Sequence, residues 1–150
     1  MNRQEIMTIL PHRDAMLLVD EVHLADGKSH GSYTFRGEEW FFQGHFPKSP
    51  MVPGLILCEV LAQSACLLIY DITGPGCVPY LAGMHNTRFK KIVRPGDVFT
   101  TECELIKVKK PFYFFRGTGK IGDKIVIKTD FSIAVYRQEE TNAQKGPDHD

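Results

Sequence analysis

Residues Gly54 to Ile72 read GLILCEVLAQSACLLIYDI, and this stretch decides the fold. Fourteen of its 19 residues are apolar, with no proline or glycine after the first. Such a run predicts one helix, apolar nearly all round and therefore buried. The loop before it, Gly44-His45-Phe46-Pro47-Lys48-Ser49-Pro50-Met51-Val52-Pro53-Gly54, is punctuated by prolines that stiffen the backbone and forbid regular structure. Thr73-Gly74-Pro75-Gly76 ends the helix. Glu59 and Gln63 interrupt the apolar run, and its longest unbroken part, Ala65 to Tyr70, is far short of a membrane span of roughly 20 residues. Insertion into a membrane is not expected.

Outward from the helix, the chain reads mostly as strands. Upstream, Glu5 to Leu10 is a short amphipathic stretch stopped by Pro11. Met16 to Val19 opens a predicted strand toward Leu24. Asp26-Gly27-Lys28 is a turn, and Tyr33 and Phe35 alternate with polar neighbours. Downstream come Tyr80 to Phe89, Val98 to Val108 and Phe112 to Thr118. A Gly122-Asp123 hairpin then leads into Lys124 to Tyr136. Ile125, Ile127, Thr129, Phe131, Ile133 and Val135 share one side of that last strand. Gln138 to Asp150 is polar and lacks an apolar anchor, so it reads as a disordered tail behind a domain of residues 1–137. The expected fold is α+β, one long buried helix and about six antiparallel strands. A curved sheet covers most of such a helix, and a second subunit is expected to cover the rest.

Composition narrows the function classes. Lys+Arg and Asp+Glu are 18 each, so no global basic field argues for nucleic acid. Hydrophobic residues are 43%, which excludes disorder along the whole chain. The polar start, Met1-Asn2-Arg3-Gln4-Glu5, does not read as a signal peptide. Cys58, Cys66, Cys77 and Cys103 form no CxxC and suit a reducing, cytoplasmic setting better than a disulfide scaffold. The six histidines show neither HxxxH nor HExxH spacing, so a metal is not expected.

Four residues stand out chemically. Glu59 is a carboxylate amid Leu55, Ile56, Leu57, Cys58, Val60 and Leu61; burial would favour its protonated form and make it a general acid. A surface position or a structural arginine partner is the plainer alternative. His45, held in the stiff loop, can take a proton near neutral pH, or simply hydrogen-bond a loop carbonyl. Gly54 opens the helix, where unpaired N–H groups and the helix dipole can stabilise an oxyanion; a backbone need for glycine is equally open. Gln63 is one turn beyond Glu59 on the same helix face and can hold the carboxyl, bind water or sit at a subunit contact.

Phe41-Phe42-Gln43-Gly44-His45-Phe46-Pro47, Pro50, and Pro53-Gly54-Leu55-Ile56-Leu57-Cys58-Glu59-Val60-Leu61-Ala62-Gln63 closely resemble the 3-hydroxyacyl-acyl-carrier-protein dehydratases of fatty-acid synthesis, the FabZ type. Leu10-Pro11-His12-Arg13 with Leu17-Leu18-Val19-Asp20 supports the resemblance. So do Ala82-Gly83, Arg88-Phe89-Lys90 and Pro95-Gly96-Asp97. It spans nearly the whole predicted fold. The resemblance implies a hot-dog fold and a homodimer with shared active sites, and hexamers of three dimers are common in the family. It implies His45 and Glu59 as the catalytic pair from opposite subunits, and the Gly54 amide on the thioester carbonyl. Tyr80 resembles a residue that gates the acyl tunnel. Two positions depart: Lys48 stands where the family usually has glycine, and Cys58 where leucine is common. Glu59, in place of Asp, resembles the plain dehydratases more than the dehydratase–isomerases.

The implied reaction removes water from a (3R)-hydroxyacyl chain, linked through phosphopantetheine to acyl carrier protein, giving the trans-2-enoyl thioester without a cofactor. Phe42, Phe46, Phe112 and Tyr113 are candidate tunnel residues, though plain core suits most of them. Arg88, Lys90, Lys91 and Arg94 form a basic cluster for an acidic carrier protein, with a solvated sheet edge as the equal alternative. The rival readings are a hot-dog thioesterase, added trans-2/cis-3 isomerisation, and a non-catalytic acyl-binding subunit.

Overall fold

The computed structural model describes residues 1–143. Its six strands are β1 (Glu21–Ala25), β2 (Lys28–Thr34), β3 (Cys77–Phe89), β4 (Val98–Lys109), β5 (Phe112–Ile121) and β6 (Lys124–Arg137). All pair antiparallel in one sheet of order β1-β2-β4-β5-β6-β3. The main helix, Gly54–Ala65, packs on β2, β4 and β5. This is the α+β arrangement that the sequence predicts.

Local chemistry sets the elements. Helix α1 (Arg3–Ile6) begins in a reciprocal cap: Glu5 N–H donates to the Asn2 side chain at 3.0 Å, and Asn2 N–H donates to the Glu5 carboxylate at 2.8 Å. The β1–β2 hairpin turns on Asp26 and Gly27, both at positive φ, as a twist-matched two-residue turn requires. Along β4, Phe99, Thr101 and Cys103 face inward and are buried. Gly31 lets the main helix approach the sheet, since a Cβ there would lie 2.5 Å from Ser64 Oγ.

Three expectations are corrected. The long helix is not continuous. It comprises α2 (Gly54–Ala65), a 3-10 turn (Cys66–Leu68) and α3 (Tyr70–Thr73), ending at Gly74 with φ +76°. A 3-10 winding lines up residues three apart, so Cys66 and Ile69 both reach the core. The first strand starts at Glu21, not near Met16. Residues Asp14–Met16 form a 3-10 turn, and side chains take the backbone groups that follow it. Leu18 N–H donates to Gln63 Oε1 at 2.9 Å, and Arg3 donates to the Leu17 carbonyl at 3.1 Å. Gln138–Ala143, expected to be unstructured, forms helix α4, while the rest of the expected tail lies outside the described residues.

Candidate active site

Glu59 sits in the second turn of α2, with its side chain about one-fifth exposed. One oxygen takes two contacts: Oε1 lies 3.1 Å from His12 Nε2 and accepts from Gln63 Nε2 at 2.9 Å. Gln63 is itself fixed. Its carbonyl accepts from Leu18 N–H, and its amide also donates to the Met16 carbonyl at 2.7 Å. The carboxamide therefore presents only N–H to Glu59.

These contacts reverse an expectation. Burial does push the Glu59 carboxyl upward, but the His12 hydrogen bond outweighs it and Gln63 adds to the effect, so the carboxyl is held below its usual range. The resting form is the carboxylate. The nearby thiols behave as buried apolar groups: desolvation pushes Cys66 up to about 12 and Cys58 up to about 11.

Glu59, His12 and Gln63 line a cleft of about 390 Å³ with Cys66, Tyr80 and Leu81. Tyr80, on β3, is about half exposed beside this cleft. Gln63 lines it too, but its polar atoms are occupied by protein partners. Cleft-lining side chains are otherwise apolar, and no lysine or arginine is among them.

His45 follows the 3-10 turn Trp40–Gln43 and does not line the cleft. Its backbone N–H donates to the Phe41 carbonyl at 3.1 Å, and its carbonyl accepts from Met51 N–H at 2.9 Å. Its Nδ1 lies 3.1 Å from the Met51 carbonyl. A carbonyl only accepts, so Nδ1 carries the proton and Nε2 of the neutral ring keeps a lone pair. The Phe46 ring stacks on the imidazole at 4.2 Å.

Gly54 is the first residue of α2, and its N–H has no intrahelical acceptor. The half-exposed Phe89 ring covers it closely; a Cβ on Gly54 would lie 2.7 Å from Phe89 Cε1. Arg88, Lys90, Lys91 and Arg94 are all exposed, with exposed Phe89 and Ile92 between them. Arg94 is partly occupied. It donates to Ser49 Oγ at 3.2 Å and to the Pro50 carbonyl at 3.5 Å, which ties down the loop that carries His45. Phe42 and Tyr113 are core residues, whereas Phe46 and Phe112 are exposed; none lines the cleft. Among the described residues no group of three or more His, Cys, Asp or Glu could hold a metal ion, and no helix is long and apolar enough to cross a membrane. The sequence offered His12 only as part of the Leu10-Pro11-His12-Arg13 run, with no signal that it would reach Glu59.

Residues 10–130 match the model of the FabA-like domain. A 3-hydroxyacyl-[acyl-carrier-protein] dehydratase FabZ of Petrotoga mobilis is 36% identical over 138 residues, covering 91% of this chain and 99% of that protein. Its counterpart of Albidiferax ferrireducens is 39% identical over 143 residues, covering 91% and 95%. Among solved structures, the dehydratase heterocomplex ApeI:P from Xenorhabdus doucetiae aligns with TM-score 0.78 at 17% identity, covering 95% of this chain and 97% of that one. The fluoroacetyl-CoA thioesterase FlK aligns with TM-score 0.68 at 15% identity, covering 83% and 99%. At these identities the structural likenesses show the fold alone.

Proposed function

The chain belongs to the FabA-like domain family, among the FabZ-type 3-hydroxyacyl-[acyl-carrier-protein] dehydratases, and on that premise we propose that it is a hydro-lyase converting (3R)-hydroxyacyl-acyl-carrier-protein to the trans-2-enoyl thioester in fatty-acid synthesis. The observation that carries this reading is identity of 36–39% to such dehydratases over about nine-tenths of the chain. The residues supply the chemistry the reaction needs: an imidazole with a bare nitrogen and a carboxyl with one oxygen free to take up and give a proton.

The thioester carbonyl accepts from Gly54 N–H at the start of α2, where the helix dipole also favours negative charge. Polarised this way, the substrate gives its α-proton to His45 Nε2. The 3-hydroxyl leaves with a proton from Glu59 Oε2, so one water forms and the double bond lies between C2 and C3. The enzyme is left with imidazolium and carboxylate, and solvent exchange resets both. General acid–base assistance supplies about 10²–10⁴-fold, and positioning and the oxyanion contact supply the remainder.

Because Glu59 rests ionised, the productive form with Glu59 protonated and His45 neutral is a minority of the free enzyme. A carboxyl held low by its hydrogen bonds titrates in the acid range. The acid limb of kcat/KM therefore reports Glu59.

His45 and Glu59 work across a dimer in this reading, since His45 does not line the Glu59 cleft. The 13-residue β3 is a sheet edge with Tyr80, Leu81 and Phe89 exposed, and pairing with a second copy would cover it. Leu55 at the helix start is 75% exposed and needs similar cover. Tyr80 would gate the acyl chain from its place on the cleft. Arg88, Lys90 and Lys91 would meet the acidic carrier protein, with Arg94 contributing chiefly to the loop. Four free cysteines suit a reducing, cytoplasmic setting. The thioesterase reading has only the shared fold behind it.

The test supplies 3-hydroxyacyl carrier-protein thioesters of several lengths and identifies products by mass and double-bond position. Conjugated 2-enoyl product supports the reading, whereas free carrier thiol without enoyl product refutes it. His45→Ala and Glu59→Gln are each expected to lose at least 10²-fold in kcat.

A further inference from the structure

The contact between His12 and Glu59 does more than join two segments of the chain. His12 lies just ahead of the Asp14–Met16 turn, and its backbone is clamped by Arg13. That guanidinium donates to the carbonyls of Met7, Leu10 and His12 at 2.7–2.9 Å. The imidazole is thus delivered to the cleft on a rigid segment. Its Nε2 meets Glu59 Oε1 at 3.1 Å, while its Nδ1 is buried with no hydrogen-bond partner among the described residues.

The unpartnered nitrogen fixes the tautomer. A proton on Nδ1 would be a buried donor with no acceptor, and a cationic ring would add a charge to the same spot. The proton belongs on Nε2, donated to Glu59. Gln63 can also only donate to Oε1. Two donors therefore converge on one carboxylate oxygen and leave the other free.

Building on the dehydratase reading, we propose that His12 is a positioning residue for Glu59: its Nε2–H, together with Gln63, claims Oε1, so that Oε2 alone carries the transferred proton. His12 touches no reacting atom. The titratable groups facing Glu59 are few. His12 comes from the N-terminal segment, Cys66 from the 3-10 turn that follows α2, and Tyr80 from β3; β6 contributes only Ile133 to the cleft. Cys66 is neutral throughout the working range, with its thiol pushed up to about 12.

Nuclear magnetic resonance tests this without turnover. In the unaltered protein at about pH 8, ¹⁵N shifts should show His12 protonated at Nε2 and bare at Nδ1. The opposite tautomer would overturn the proposal. The ¹³C signal of the Glu59 carboxyl is then titrated in wild type, His12→Phe and His12→Gln. His12→Phe should move its midpoint to higher pH, and His12→Gln, which keeps an N–H donor, should return it toward wild type. The acid limb of kcat/KM should move the same way. If His12→Phe lowers the rate equally at every pH with the carboxyl midpoint unmoved, His12 is only structural and the proposal fails. If His12→Phe does not fold, the tautomer and the His12→Gln titration decide. A coupled titration in a protein that dehydrates nothing would refute the function and keep the contact; turnover with an uncoupled titration would do the reverse.

Discussion

Replacing Gln63 by Leu probes the network that joins the N-terminal segment to the helix and the acid. The side chains are similar in size, and Gln63 is buried, so packing is nearly conserved. Three hydrogen bonds are lost. Leu18 N–H is buried and loses its acceptor outright, the Met16 carbonyl loses a donor, and Glu59 Oε1 keeps only His12. An unpaired buried group costs about 1–3 kcal/mol, and the Met16 carbonyl, which water can reach, falls at the low end; the sum is about 2–4 kcal/mol. With a urea slope of about 2 kcal/mol/M, the midpoint should fall by about 1–2 M with the slope unchanged. The comparison must hold protein concentration fixed, because a dimer's stability depends on it. Gln63→Glu sharpens the test. It can accept from Leu18 N–H but cannot donate, and it places a second carboxylate beside Glu59. Its deficit should therefore shrink as pH falls and one carboxyl takes a proton. A midpoint change below about 0.3 M for Gln63→Leu would refute this wiring, since no buried group could then have been left unpaired.

Other consequences are equally direct. Gly119→Ala would drive a methyl into the ring of the buried Phe99 and against Ile127, and overpacking of this kind costs about 1–3 kcal/mol, readable in the same urea titration. Glu59 has a folded-state value below its unfolded one, so its contribution to stability is present above the unfolded value and is lost as pH falls through the folded one. Stability measured from neutral pH down into the acid range should therefore fall more steeply for wild type than for Glu59→Gln; parallel curves would contradict the lowered carboxyl. Arg94→Ala frees Ser49 and Pro50 and should loosen the His45 loop. It should lower kcat for a small acyl thioester lacking the carrier protein, and unchanged kcat there would return Arg94 to docking alone.

The strands were legible because their signals are local. Phe99, Thr101 and Cys103 alternate inward in β4, and Asp26-Gly27 and Gly122-Asp123 mark turns by residues that accept positive φ. The start of α2 was equally legible, since Pro53 and Gly54 announce it. What failed depends on distant partners. Leu17 to Val19 look like strand, yet Leu18 N–H belongs to Gln63, 45 residues away. The run after Ala65 looks like continued helix, but the fit of Cys66 and Ile69 to the core tightens it. Glu59 was recognisable as a partly buried acid among apolar residues. The direction of its proton affinity was not, because desolvation is written in its neighbours and the opposing hydrogen bond comes from His12 in another segment.

The central claim is that one subunit's His45 acts with the other subunit's Glu59. Subunit complementation tests it most directly. His45→Ala and Glu59→Gln proteins, each nearly inactive alone, are unfolded together, refolded and assayed for enoyl thioester formation. Half of randomly paired dimers are mixed, and each holds one site with both groups intact, so activity should return to about a quarter of wild type. No recovery, with mixed dimers confirmed by mass, would contradict the account.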